Sequence, residues 1–343
     1  AAISVRMLLM TTGVKNGPQD AGEGVVVLAG PTASGKSALA LAIAKGLAES
    51  DRSAVLINAD SMQVYRELRL LTARPDAADA ARVPHRLYGV MSAETACSVA
   101  QWRALALTAV EETLAASQVP IVVGGSGLYI RAFLKGLSPM PDISPAVRTA
   151  TRARYGALGE DAFRAALAER DPAAASRIAA GDQQRLIRAW EVVEASGRPF
   201  EDWRAQDPEA LAWPALKLLL LPGREALYAA CDARLKGVFE AGALEEVAAL
   251  LGAGMDPSLP AMKALGVEAI AAHLAGEISR DEALRRAKQA TRRYAKRQLT
   301  WFRHQYAPDI TLPPGPDLEV RALAVVDSFL LTADRADTSL RAL

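Results

Sequence analysis

Short apolar runs alternate with longer amphipathic stretches along this chain, the pattern of strands buried between helices. Four runs read as strands: Gly24-Val25-Val26-Val27-Leu28-Ala29, Ser53-Ala54-Val55-Leu56-Ile57-Asn58-Ala59, Val119-Pro120-Ile121-Val122-Val123 and Leu216-Lys217-Leu218-Leu219-Leu220-Leu221. Residues 37–44 and 98–117 read as helices between the first three. Such alternation predicts an α/β fold with a parallel sheet flanked by helices. From about Pro141 to Gln206 the strand signal vanishes, and Asp182 and Gly197 bracket a helix as cap and stop. Residues 141–206 are therefore expected to form an inserted all-helical subdomain, a tRNA-binding lid. The core then spans 25–140 and 207–315, between a disordered leader (1–24) and a C-terminal helix and tail (316–343). After the fourth strand only helices are expected. One runs from Glu225 to Glu240, and a long one opens on a capping box, Ser279 with Glu282, and ends near His304.

The first candidate chemistry lies between the first strand and its helix. Gly30-Pro31-Thr32-Ala33-Ser34-Gly35-Lys36-Ser37 fits G-x-x-x-x-G-K-[ST] in the strand–loop–helix context that the pattern requires. Glycines let the backbone curl so that successive N–H groups make a nest for anionic oxygens, and the positive end of the helix adds to the field. Lys36 would reach a terminal phosphate, and the Ser37 hydroxyl would ligate Mg²⁺, so the fold expected is that of a P-loop NTPase. Two further strand ends face the same crevice. The second strand ends on Asp60, followed by Ser61, Met62 and Gln63, and the third on Gly124-Gly125-Ser126. Asp60 could equally cap the next turn, and the glycines could make a plain tight turn. His85 reads either as a ligand contact or as a structural residue, and His273 as a packing residue on its helix.

Composition narrows the classes. A chain of 343 residues with 51% hydrophobic and 23% charged residues is long enough for two globular domains. Cys97 and Cys231 match no zinc or disulfide spacing, and no apolar run could span a membrane, so a cytoplasmic protein without a membrane partner is expected. The net charge of +1 hides a local excess. Between Arg280 and Tyr306 stand nine Lys or Arg residues and two acids. At ~100° per residue, Leu284, Ala287, Thr291, Ala295, Gln298 and Phe302 fall on one stripe. Arg285, Arg292, Lys296 and Arg303 make a second, and Arg286, Arg293 and Arg297 a third. A helix with one packing face and one broad cationic face predicts a polyanionic partner, nucleic acid.

With these residues assembled, the chain resembles the bacterial tRNA dimethylallyltransferases, also called tRNA isopentenyltransferases, over about residues 24–310. The resemblance rests on the loop from Gly30 to Ser37, Asp60-Ser61-Met62-Gln63-Val64-Tyr65, Thr72-Ala73-Arg74-Pro75, Pro84-His85-Arg86, Gly124-Gly125-Ser126-Gly127-Leu128-Tyr129, Gln184-Arg185-Leu186-Ile187-Arg188 and Ala295-Lys296-Arg297-Gln298-Leu299-Thr300-Trp301. It implies transfer of a dimethylallyl group from dimethylallyl diphosphate to N6 of the adenosine 3′-adjacent to the anticodon, in the anticodon stem-loop of tRNA. The loop from Gly30 through Pro31, Thr32, Ala33, Ser34, Gly35 and Lys36 to Ser37 would then hold the diphosphate, with Mg²⁺ on Ser37. Asp60 matches the family's general base, Thr32 its loop threonine at the reacting centre, and Arg234 a stabiliser of the departing diphosphate. The tRNA contacts implied are Asp60, Ser61, Met62, Gln63, Ser126, Arg148, Gln184, Arg185, Leu186, Ile187, Arg188, Lys263, Gly266, Lys296, Arg297 and Arg303. A monomer is expected. Where the family usually has Gly-Thr-Ala-Lys-Pro and Gly-Tyr, this chain has Leu71-Thr72-Ala73-Arg74-Pro75 and Gly266-Val267. The alternatives are a P-loop kinase of a small metabolite, a prenyltransferase of free adenine nucleotides, and a non-catalytic RNA-binding module gated by nucleotide; the first two leave the basic helix unexplained.

Overall fold

The computed structural model describes residues 24–341, with side chains described as far as Thr332. Residues 1–23 of the expected leader lie outside the described residues. Gly24 does not belong to a leader: it is buried, and a Cβ there would stand 2.5 Å from the Phe329 ring.

Six strands form one parallel sheet: β1 (Val25–Ala29), β2 (Ala54–Asn58), β3 (His85–Arg86), β4 (Val119–Gly124), β5 (Ala215–Leu220) and β6 (Ile310–Leu312). Their order is β3-β2-β4-β1-β5-β6. Every residue of β1, β2 and β4 is buried, which is why these runs are continuously apolar rather than alternating. The helices met before the chain leaves this unit to return at β5 are α1 (Lys36–Ala48), α2 (Ala77–Arg82), α3 (Val99–Ala115) and α4 (Gly127–Lys135). β6 corrects the expectation of helices alone beyond β5. Three residues caught between Pro308 and Pro313 are too few to display a period, yet they pair in register from Leu218↔Ile310 to Leu220↔Leu312.

Strand order brings the loops of interest together. β4 lies between β1 and β2, so the carboxyl ends of these three strands share one edge. The approach is close enough to dictate residue type. A Cβ at Gly124 would lie 2.1 Å from the Ala59 carbonyl oxygen, and one at Gly30 2.8 Å from that of Leu220, so only glycine fits either place.

After α4 the chain enters a second compact unit, Lys135–Leu211, built from α5 (Pro145–Ala168), α6 (Pro172–Arg177), α7 (Gln183–Ser196) and α8 (Phe200–Arg204). Phe163, Leu167, Leu186, Trp190 and Val193 form its core. Asp182 caps α7 by accepting the Arg185 N–H at 3.2 Å, and Gly197 closes it in the left-handed region at φ 67°. Two of its arginines serve the fold: the Arg154 and Arg170 guanidiniums lie 4.5 and 5.2 Å from the Trp190 ring centroid.

The chain then returns through β5 to α9 (Arg224–Glu240), α10 (Ala243–Gly252), α11 (Val267–Leu274), α12 (Arg280–Gln305) and α13 (Leu318–Arg341). The last is no appended segment. Ala322, Val326 and Leu330 join Val26, Ile43, Leu47, Ile121 and Leu218 in the main core, each large aliphatic side chain contributing about 1.5–3 kcal/mol on full burial.

Candidate active site

The phosphate loop folds as its glycines allow. Gly35, at φ 90°, precedes α1 with no side-chain cap, so the first amides of that helix remain available to an anion. The Gly30 N–H donates to the Gly124 carbonyl at 3.2 Å, joining this loop to the one after β4. Lys36 is half-buried by surface area, but its ammonium is enclosed on most sides, and burial lowers its pKa to about 8. The nearby Asp60 carboxylate acts in the opposite sense, and Arg234 on α9 adds to the lowering. Burial depresses Arg234 as well, against Cys231 and Asp60. Two cations and one carboxylate thus influence one another electrostatically, with a net positive balance.

Among the described residues, the Ser34 Oγ and the Arg234 Nε there are buried without a hydrogen-bond partner. Orphaned buried donors cost ~1–3 kcal/mol each, and a diphosphate in the loop would satisfy both. Ser37 is exposed at the second position of α1. Among the described residues no group of three His, Cys, Asp or Glu is placed to cage a metal. The exposed Ser37 hydroxyl is the group this turn could offer a hard cation such as Mg²⁺, whose other ligands would be water and ligand oxygens.

Asp60 is held from both sides. Its N–H donates to Asn58 Oδ1 at 2.8 Å, and its carbonyl accepts from Asn58 Nδ2 at 3.0 Å. Asn58 is fully buried, and its own carbonyl accepts the indole N–H of the fully buried Trp102 at 2.9 Å. The Asp60 carboxylate accepts the Met62 N–H at 2.9 Å, so the capping reading holds alongside the catalytic one. Ser126 is buried; its Oγ accepts the Ser61 N–H at 2.9 Å and donates to the Ser61 hydroxyl at 3.3 Å, tying the loop after β4 to the turn after β2. Burial and the Asp60 charge both raise the pKa of Tyr88 and Tyr294. Beside this network opens a cleft of about 340 Å³ lined by Ser61, Met62, Tyr65, Ser126, Leu128, Tyr129 and Tyr294. Gln63 faces elsewhere, donating to the Thr72 carbonyl at 2.8 Å.

On α12 the packing stripe consists of Ala283, Ala287, Thr291, Ala295, Gln298, Leu299 and Phe302; Leu284 is only half-buried. The cationic face is narrower than the helical wheel predicts. Glu282 binds Arg285 and Arg286 at 2.6 and 2.7 Å instead of reaching back to the cap, so only the Ser279 half of the capping box forms. Arg292 makes a two-oxygen ion pair with Asp232, at 2.6 and 2.7 Å. Lys296 and Arg303 are exposed and pair with no carboxylate among the described residues, and Arg297 lies 5.6 Å over the Tyr294 ring.

Lys263 is exposed in a short 3₁₀ turn, and Gly266 starts α11 at φ 99°, where a side chain would be strained. Arg148, Gln184, Arg185, Ile187 and Arg188 belong to the helical unit. Arg185 pairs with Asp182 at 3.2 Å and Arg188 with Glu191 at 3.3 Å. Leu186 does not reach solvent: it is fully buried in that unit's core, so its side chain can reach no RNA. Of the two histidines considered, His85 bonds the Val83 carbonyl at 2.7 Å and His273 that of Ile278 at 3.0 Å, both within their own segments. The sequence assigns no role to Asn58 or Gln298. The local signal is a polar residue inside an apolar run for Asn58, and a polar residue on the packing stripe for Gln298.

A parallel sheet with a phosphate-loop sequence after a central strand, β1, and an acidic residue after β2, on the far side of β4, defines a P-loop-type α/β protein. The IPP transferase family pattern matches residues 63–305. The chain is 50% identical over 303 residues to the tRNA dimethylallyltransferase of Rhodospirillum centenum, covering 87% of this chain and 94% of that one. It is 51% identical over 297 residues to that of Nitrobacter hamburgensis, covering 86% and 92%. Among solved structures, the full-length tRNA isopentenylpyrophosphate transferase from Bacillus halodurans superposes with a TM-score of 0.64 at 27% identity, over 94% of this chain and all of that one. A eukaryotic dimethylallyltransferase acting on tRNA shares the fold, with a TM-score of 0.77 at 22% identity over 90% of this chain and 80% of that one. The chain belongs to the IPP transferase family.

Proposed function

We propose that this enzyme transfers a dimethylallyl group from dimethylallyl diphosphate to N6 of the adenosine 3′-adjacent to the anticodon of tRNA. The observation that carries this reading is the electrostatic coupling of the enclosed Lys36 and Arg234 cations with Asp60 at the phosphate loop: charge for a diphosphate beside a proton acceptor. The amine of adenine is a weak nucleophile because its lone pair is delocalised into the ring. As its bond to the allylic carbon forms, its N–H acidifies and the Asp60 carboxylate takes the proton. The bond from that carbon to the diphosphate oxygen breaks, and Lys36, Arg234 and the loop amides stabilise the charge that develops on the leaving group. We assign Thr32 to the reacting centre. Ser37, with diphosphate oxygens and water, would hold Mg²⁺, which supplies further neutralisation of the diphosphate when bound. The target base must leave its stack, and the cleft beside Ser61 and Ser126, about 340 Å³, is large enough to receive it. The half-buried Tyr294 ring there offers stacking surface, while Tyr65 and Tyr129 are buried in the cleft wall.

The test is nucleoside analysis of tRNA incubated with enzyme and dimethylallyl diphosphate. Dimethylallylated adenosine with stoichiometric diphosphate is expected; unmodified tRNA with ADP formed from added ATP would favour the kinase. We assign tRNA contacts to Lys263, Lys296, Arg297 and Arg303 on this unit, and to Arg148, Gln184, Arg185 and Arg188 on the helical unit. Because Arg285 is already neutralised, Arg285→Ala should leave tRNA affinity unchanged. Lys296→Ala with Arg303→Ala should weaken it and flatten the slope of log affinity against log salt by roughly one unit for each phosphate no longer neutralised. An unchanged slope in that double variant would remove α12 from the RNA interface.

A further inference from the structure

Gln298 interrupts the buried stripe of α12 and is only 6% exposed, so it can take no part in the cationic face. Both ends of its amide are used. The Oε1 accepts the Thr32 N–H at 2.8 Å, and the Nε2 donates to the Gly125 carbonyl at 2.8 Å. These partners lie on different loops, one after β1 and one after β4. The fit is tight enough to require glycine, since a Cβ at Gly125 would stand 2.6 Å from the Gln298 Nε2.

Peptide planarity carries the consequence to the donor seat. The Thr32 N–H and the Pro31 carbonyl belong to one rigid trans unit and point to opposite sides of the chain. The Lys36 ammonium donates to that Pro31 oxygen at 3.2 Å. The plane held by Gln298 on one side is therefore the plane that seats Lys36 on the other. Just beyond it, Ala33 stands at φ 58°, a strained conformation that persists only where its surroundings over-determine it. A glycine-containing loop does not supply that restraint by itself.

We propose that Gln298 is a positioning residue, which locks the Pro31–Thr32 peptide and so aligns Lys36 and Thr32 with the donor. Both ends of its amide are spent on protein backbone, and it joins the helix carrying Lys296 and Arg303 to the phosphate loop. The assignment rests on the dimethylallyl-transfer reading.

Gln298→Met keeps the volume and removes both hydrogen bonds; Gln298→Asn keeps the polarity and withdraws the amide by one methylene. Assayed well below their thermal midpoints, both should lose about 10- to 100-fold in kcat, the scale of a small misplacement at a reacting centre. The donor KM should rise while the tRNA KM stays within about twofold of wild type. A role in helix packing alone would instead move the tRNA KM, because the RNA-facing cations ride on the same helix. A folded variant with kcat within about twofold of wild type, or with its loss confined to the tRNA KM, overturns the assignment. If Gln298→Met does not fold, Gln298→Asn is judged by the same criteria. Should wild type itself modify no tRNA, the reaction reading fails, and binding of inorganic pyrophosphate still tests the loop. At least about tenfold weaker binding by the variants is then expected, and equal binding overturns the role.

Discussion

Lys36→Met is expected to abolish turnover and, in the same protein, to raise the thermal midpoint of the ligand-free enzyme. The two effects share one cause. Enclosure lowers the Lys36 pKa to about 8, which means that folding penalises the charged form. The unfolded chain holds that proton up to about pH 10.4, so the penalty is fully present below pH 8 and relieved between there and about 10.4. Methionine fills similar space without the charge and should therefore stabilise the ligand-free fold at neutral pH, the usual trade at a binding site. In catalysis the same ammonium faces the diphosphate, and its loss should lower kcat/KM for the donor by about 10³-fold or more, equivalent to ~4 kcal/mol of transition-state stabilisation. The wild-type value of that ratio should fall as pH rises through about 8, because the free enzyme loses the charge that captures the donor. An inactive Lys36→Met protein with a lowered midpoint would show that the ammonium is not held at a cost, and that Lys36 chiefly stabilises the loop.

The parts of this site that could be read from the chain are those built by neighbours in sequence. A strand, eight loop residues and a helix are enough to make a phosphate nest, so Gly30 to Ser37 announces itself without the rest of the fold. Asp60 and Ser126 were legible as polar residues ending apolar runs, since parallel strands direct their carboxyl ends to one crevice. What could not be read depends on partners far along the chain. Arg292 looks free on a helical wheel, but the carboxylate that neutralises it belongs to Asp232, on another helix. Gln298 looks like a polar flaw in a packing stripe until strand order brings Thr32 and Gly125 beneath it. β3 and β6, with two and three residues, are too short to carry a period and exist because longer neighbours offer an open edge. The two segments that depart from the family's usual residues also turn out to meet. A Leu71 methyl stands 3.1 Å from where a Gly266 Cβ would be, with Val267 buried next to it.

Asp60→Asn should remove at least about 100-fold of kcat while leaving tRNA affinity within about twofold of wild type, since the change takes away a proton acceptor and leaves every phosphate-facing cation in place. The substitution is unusually clean here. An asparagine Oδ1 can still accept the Met62 N–H, and the Asn58 bonds use only the Asp60 backbone, so the turn should survive. Asp60→Ala would break that cap and confound chemistry with geometry, which makes the comparison informative: both variants should be slow, but only alanine should lower the thermal midpoint appreciably. A second readout follows from the electrostatics. The Asp60 charge supports the protonated form of Lys36, so removing it lets the Lys36 pKa fall further below about 8. The alkaline decline of kcat/KM for the donor should then begin at a lower pH in Asp60→Asn than in wild type. Rates for the two proteins are best compared near pH 6.5, where Lys36 is charged in both. Turnover within about tenfold of wild type under that condition would put less than ~1.4 kcal/mol of the barrier on the carboxylate. Asp60 would then be the cap of its turn and a neighbour that tunes Lys36, and the proton would have to leave by another group.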